Sequence, residues 1–399
     1  MINPSAPGWI DKFFIKQEFS ETWLPETDEL FYNKIRSTGF IYGHIISFDT
    51  PAPIETKGFT KEEISKIALL NTLFGIYCLI EKTTNSEIFI LKAVAFYNQM
   101  HPQGFDFFKK ILPKSTTSIT LEKIIDARVQ TNESIISKNF SHLVTNALLF
   151  IDVLAFRKYL IQGKIPDKYL KKLEDNVVNI VTNALTIKTK KSQYDTLLIK
   201  LFEASLRFSK FSKNASPTLD NLQLDYFTSD LEKMYLIDMA GMALWSDAVI
   251  EKEEIIFLHS LAKIMSFSDV FVNQSILDTN NFITTHQKDI PYFHYSNPVK
   301  HFYDQTTQSV ITLITRNKKR LVKEIVQSKE LMILLANSTR RDLEAEEKKK
   351  IKKQLLDICK TIPSLTIFLL PGGSLLLPIL IKFIPTLLPS SFNENLDNE

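Results

Sequence analysis

From Thr60 onward, apolar positions recur at helical spacing: Ile64, Ile67, Ala68, Leu70 and Leu73 fall on one face. Thr60 is followed three residues later by Glu63, the spacing of a capping box, so a helix is predicted to begin there. Similar amphipathic runs predict helices over Ser86–Gln99, Leu121–Val129, Ser134–Ile161, Asp167–Leu185, Tyr194–Phe208, Ser229–Leu244, Lys252–Met265 and Ser268–Asp278. Two polar stretches, 209–225 and 279–300, read as linkers. Beyond them Lys300–Leu335 is again helical, and Leu343–Lys360 is a strongly charged helix. Ahead of Thr60 the periodicity is lost. Residues 1–58 read as irregular, with Gly39–Phe48 leaning to β structure before Pro51 and Pro53 end it.

The last forty residues differ from everything before them. Residues 361–381 carry no charged side chain. As a helix they extend about 31 Å, matching a hydrocarbon core of about 30 Å. Of the 24 residues Ile362–Pro385, 14 are Leu, Ile or Phe. At about 0.3–0.6 kcal/mol each they favour the bilayer by several kcal/mol. Lys382 opposes insertion, but it lies near the end and can snorkel. Pro371, Pro378 and Pro385 argue against a soluble core helix, where each break costs about 3 kcal/mol. Inside a membrane such breaks are tolerated where neighbouring protein satisfies the freed carbonyls. Pro371-Gly372-Gly373 suits a chain reversal, so a single pass and a re-entrant hairpin both stand.

These patterns predict an all-α protein, a multi-helix soluble body with one C-terminal Pro-rich membrane segment. The expected organisation is an irregular N-terminal segment (1–58), a helical domain (59–208), a helical module (226–280), a charged helical region leading to the membrane (300–360), the membrane segment (361–389) and an acidic tail (390–399). Lysines 348, 349, 350, 352, 353 and 360 precede the segment, whereas Glu394, Asp397 and Glu399 follow it. The positive-inside rule then places the body in the cytoplasm and the tail outside, if the segment spans, and the inner (cytoplasmic) membrane is the expected location. Mixed with Glu344, Glu346 and Glu347, the lysines read equally as a solvated helix face or as a site for anionic headgroups.

Composition narrows the function classes. Ten glycines in 399 residues leave few tight turns and favour long helices. A net charge of +3, scattered along the chain, makes no case for DNA. Met1–Ser20 lacks the apolar core of a secretory signal. Trp9, with Phe13 and Phe14 behind it, suits docking on the body better than a membrane interface. Cys78 and Cys359 form no CxxC pair and read as buried thiols. No GxGxxG, Walker-type loop, HExxH or GxSxG is present, and the seven histidines are scattered. No enzyme activity and no cofactor is expected.

The run Ile362–Phe392, IPSLTIFLLPGGSLLLPILIKFIPTLLPSSF, resembles the membrane signature of the leucine-zipper/EF-hand-containing transmembrane family. The likeness lies in the register of Pro363, Pro371, Pro378, Lys382, Pro385 and Leu388-Pro389-Ser390, with Gly372 and Gly373 between. Upstream, Asp357 and Lys360 fall where the family has an acid and a base. A bacterial, biofilm-associated branch is the nearest fit. The resemblance implies a membrane-anchored protein in envelope or ion homeostasis, cation/proton antiport, or ribosome binding. Its implied partners are the lipid bilayer, the ribosome or other membrane proteins, and a second copy of the chain. The family's mid-segment glutamate is Ser374 here. An ion path would therefore be lined by Thr366, Ser374 and Lys382, without a carboxylate to carry the ion.

A weaker likeness covers Leu231–Gln274, which is similar to a tellurite-resistance TerB-like helical module. It rests on Asp247, Glu251, Glu253 and Glu254. Asp247, Glu251 and Glu254 are weak metal candidates, set against the plainer reading that such acids cap a helix. No DxDxDG loop is present.

Overall fold

In a computed structural model, the residues described are 2–100, 116–129, 146–188, 222, 224–245, 250–286, 288–290, 311–341, 343–362, 365, 381 and 384. Among them every regular element is a helix, as the periodicity predicts. Contacts divide the chain into two compact units. The first holds Met1–Glu55, Ile64–Asn132 and Phe140–Ser296; the second holds Thr56–Glu63, Glu133–Asn139 and Asn297–Glu399.

The first unit contains α1 (Trp9–Gln17), α2 (Asp28–Ser37), all but the first turn of α3 (Lys61–Glu81), α4 (Ser86–Met100), α5 (Thr117–Val129), α6 (Phe150–Gln162), α7 (Tyr169–Ile187), α8 (Asp230–Leu244), α9 (Lys252–Ile264) and α10 (Asp269–His286). Its centre is α8, which packs against α2, α7, α9 and α10. Leu231, Tyr235, Leu236, Ile237, Ala240 and Leu244 are all buried, so this helix is apolar around its whole circumference. A helix of that kind needs partners on every side. For the same reason the stretch 209–225 does not separate two units: α7 before it and α8 after it pack together. The expected linker at 279–300 also starts later than predicted, because α10 continues to His286.

Residues 1–58 are not irregular. They hold α1 and α2, two short helices whose stabilising partners lie far along the chain. Gly8 stands at the N-cap of α1 and has no side chain to cap it. The buried carboxylate of Glu122 on α5 takes its place, accepting from Gly8 N at 3.1 Å and Ile10 N at 3.0 Å. Trp9 and Phe13 are buried as α1 docks on α5, the preferred of the two readings for this cluster. Phe14, Phe19, Trp23, Phe74 and Phe89 continue it as an aromatic group with edge-on contacts. The segment Gly39–Phe48 forms turns and irregular chain rather than a strand. Its apolar side chains Phe40, Ile41 and Tyr42 enter the helical core instead of pairing with a neighbouring strand.

Buried ions also tie these helices together. Asp238 on α8, fully buried, accepts from Tyr32 Oη at 2.7 Å and from Ser275 Oγ, with Arg36 Nη1 at 3.6 Å. Burial raises the Asp238 carboxyl above its usual range, with Arg36 acting against that shift. Asp152 on α6 accepts from Arg128 Nε at 2.7 Å and Tyr97 Oη at 3.0 Å. Glu232 on α8 accepts from Tyr169 Oη at 2.6 Å and pairs with Lys158 at 3.1 Å. Each acid joins elements that the sequence alone does not connect.

The predicted capping box of α3 is present: Thr60 N donates to Glu63 Oε2 at 2.9 Å, and Glu63 N donates to Thr60 Oγ1 at 3.2 Å. By length and composition α3 is long and apolar enough to cross a membrane, but 89% of its apolar window is buried inside the protein. It is a core helix of the fold. The second unit contains α11 (Lys318–Gln327), α12 (Lys329–Arg340) and α13 (Ala345–Thr361). The single run expected over Lys300–Leu335 is therefore broken, and Ser328 is at once the C-cap of α11 and the N-cap of α12.

Candidate functional site

The second unit carries the charged helix and the start of the apolar segment, so the candidate site is built there. In α13 the acids cluster at the start and lysines follow, an order that complements the helix dipole. Glu344 and Glu347 form a capping box, with Glu344 N donating to Glu347 Oε2 at 2.9 Å. Arg341 grips the same Glu347 with two hydrogen bonds, at 2.8 and 2.6 Å. That paired contact, with the Glu344 amide, holds the Glu347 carboxyl down at about 2. The lysine-rich run is thus a helix fixed at its first turn by its own acids.

One stripe of α13 is apolar: Ile351, Leu355, Ile358 and Cys359 are buried. They form one cluster with Leu321 and Ile325 of α11 and Leu331, Leu334 and Leu335 of α12. Burial pushes the Cys359 thiol up to about 12; Cys78 is likewise buried and its thiol is raised. Polar contacts fasten the edges. Gln354 donates to Glu330 Oε2 at 2.7 Å and accepts from Ser328 Oγ at 3.0 Å, and Lys350 pairs with Glu330 at 3.4 Å.

The cluster does not stop at the end of α13. Ile362, Leu365 and Ile384 are buried in it, and Ile381 packs against it. Both ends of the predicted apolar segment therefore share one core with the three helices. Ile362 itself has extended backbone, so α13 ends before the segment proceeds.

Of the residues singled out in the sequence, Asp357 and Lys360 are described. They lie one turn apart on α13 as an exposed ion pair of 2.6 Å, and Lys360 lowers the Asp357 carboxyl. Pro363, Thr366, Pro371, Gly372, Gly373, Ser374, Pro378, Lys382, Pro385 and Pro389 lie outside the described residues, as does Asp247. Glu251 and Glu254 are the N-cap and third residue of α9 and form a capping box, with Glu251 N donating to Glu254 Oε2 at 2.8 Å. Their carboxylates therefore serve backbone amides, the plainer of the two sequence readings.

Charge is less scattered than the whole-chain total implies. Residues 311–362 hold fourteen Lys and Arg against seven Asp and Glu. Lys318, Lys319, Arg320 and Lys323 on α11 are exposed and add to the lysines of α13. Sequence reading passed over them because the net charge of +3 averages this unit with a slightly acidic remainder. A windowed charge count would have found them.

Residues 343–399 match the family model described as LETM1-like, RBD. No curated protein matches the chain, and no solved structure does. The match begins at Leu343, beside the N-cap of α13, and covers the helix together with the apolar segment. At this coarse level the C-terminal part of the chain is similar to the LETM family.

Proposed function

We propose that this is a membrane-anchored, LETM-like protein that acts as a scaffold or regulator in envelope or ion homeostasis. The observation that carries the reading is the family match over 343–399, on the residues where the sequence turns apolar. In this reading the segment anchors the chain in the inner membrane. The helical body, including a TerB-like module over 226–280, stays on the cytoplasmic side and receives partners there, with a role in biofilm formation as the resemblance to the biofilm-associated branch implies. The buried positions of Leu365 and Ile384 favour a segment with both ends held at one core over a straight pass, since residues so spaced on one helix are about 28 Å apart.

The test is membrane extraction of the full chain. Deleting 362–399 would also strip Ile362, Leu365 and Ile384 from the cluster, so point charges are the better perturbation. Leu369→Arg with Leu376→Arg adds about 2.5–3.5 kcal/mol per residue against insertion. The wild type is expected to resist alkaline extraction and the double variant to be released. A wild type that extracts completely sinks the anchor.

A second reading, ribosome binding, is favoured by the matched family's own description, which carries the letters RBD. Salt-sensitive co-sedimentation of the full chain with ribosomes tests it. Cation/proton exchange ranks third, because Ser374 stands where the family's glutamate would carry the ion.

A further inference from the structure

We infer that the exposed lysine rows of α11 and α13 form a docking face for the anionic headgroups of a bilayer, so that the second unit lies against the membrane its segment enters. This rests on the membrane reading above and names the lipid class for it. The geometry starts from the buried stripes. On α13, Ile351, Leu355, Ile358 and Cys359 face the core, which at 3.6 residues per turn sets Lys349, Lys353 and Lys360 on the opposite side, with Lys352 at the flank. On α11, Leu321 and Ile325 face the core, and Lys319 and Lys323 stand opposite with Arg320 beside them. All these basic residues are exposed.

Acids neutralise part of the unit, including Lys360 at the end of the α13 row. Glu330 takes Lys350, Glu347 takes Arg341 and Asp357 takes Lys360. Among the described residues no carboxylate lies within ion-pair distance of Lys319, Lys323, Lys349, Lys352 or Lys353. Two features favour lipid over nucleic acid. Residues 311–362 contain no Phe, Tyr or Trp, so the stretch that carries the lysine rows offers no ring on which a base could stack. Ten of the fourteen cations in residues 311–362 are Lys, a point charge, rather than the planar fork of Arg that matches phosphate in two places. The α13 row also ends two residues before Ile362, where the apolar segment starts, as a juxtamembrane polybasic element does.

The experiment is lysine acylation footprinting of the full wild-type chain, read by mass spectrometry. The chain is mixed with vesicles of neutral phosphatidylcholine or of the same lipid with phosphatidylglycerol added. Insertion is common to both compositions, so only headgroup contact differs. Lys319, Lys323, Lys349, Lys352 and Lys353 are expected to react at least fivefold more slowly on the anionic vesicles. The protection should vanish near 1 M salt, where screening reaches about 3 Å. Lysines of the first unit are expected to be unchanged. Equal rates on both vesicles overturn the proposal. So does protection of the rows by added duplex RNA without protection by anionic lipid, which would assign the face to a nucleic acid. Flotation in the same samples separates the two readings. Association with anionic vesicles alone keeps the docking face and removes the anchor; association with both, without lysine protection, keeps the anchor and removes the face.

Discussion

Replacing Arg128 by Met tests the claim that buried ion pairs set the register of the first unit. The Asp152 side chain is fully buried and that of Arg128 is 6% exposed, so neither end is solvated in the fold. Removing the guanidinium deletes the hydrogen bond from Nε at 2.7 Å and leaves a buried carboxylate beside Tyr97 Oη at 3.0 Å. Stranding a buried charge costs about 3–5 kcal/mol. For a unit of this size 1 kcal/mol lowers the melting temperature by about 2–4 °C, so a fall of about 6–20 °C is expected. Much of that penalty comes from the stranded charge. The triple change Arg128→Met, Asp152→Leu and Tyr97→Phe should therefore regain at least half of it. The assay is thermal unfolding of the full chain in detergent, followed by far-UV circular dichroism. A single variant within 2 °C of wild type, the threshold set by about 1 kcal/mol, would refute the desolvation argument. So would a triple variant no more stable than the single.

Three further outcomes follow from local geometry. Gly39→Ala should destabilise the first unit by about 4 kcal/mol or more, seen as a lowered melting temperature. Gly39 has φ +80°, and an added Cβ would sit 1.9 Å from the His44 carbonyl oxygen. Glu347 has a folded pKa of about 2, below the ordinary glutamate value of about 4.3, so its stabilisation is present above that value and lost as pH falls toward 2. Hydrogen exchange in the first turn of α13 should accelerate across that window, and Glu347→Gln should remove the pH step. Ser328→Ala removes the side chain that accepts from Leu331 N at 3.3 Å, a loss of about 1 kcal/mol. Amides in the first turn of α12 should then exchange about fivefold faster; an unchanged rate would show that the cap contributes nothing.

What the sequence disclosed depended on whether the signal was local. The capping box at Thr60 and Glu63 is visible because both members sit within four residues. Helices with one apolar stripe, such as α13, read cleanly. The N-terminal helices escaped because their partners are distant: Glu122 caps α1, and Asp238 receives Tyr32 across 206 positions. The break at Ser328 escaped because apolar residues at helical spacing lie on both sides of it, with neither Gly nor Pro between. At the candidate site, composition alone marked the apolar segment and the α13 lysines. The basic side chains of α11 were hidden by averaging, and the burial of Ile362, Leu365 and Ile384 in one cluster belongs to tertiary packing.

The borrowed cap of α1 has a temporal consequence. Helices of 9 and 10 residues, such as α1 and α2, are marginal in water by themselves. The carboxylate that completes α1 is made more than a hundred residues later, and the aspartate that holds Tyr32 more than two hundred later. These two helices are therefore secured long after they are synthesised. An N-terminal fragment ending before Glu122 is expected to show little helix over residues 9–37. In the whole chain those amides should gain protection only as α5 and α8 close around them, with the slow approach typical of contacts distant in sequence.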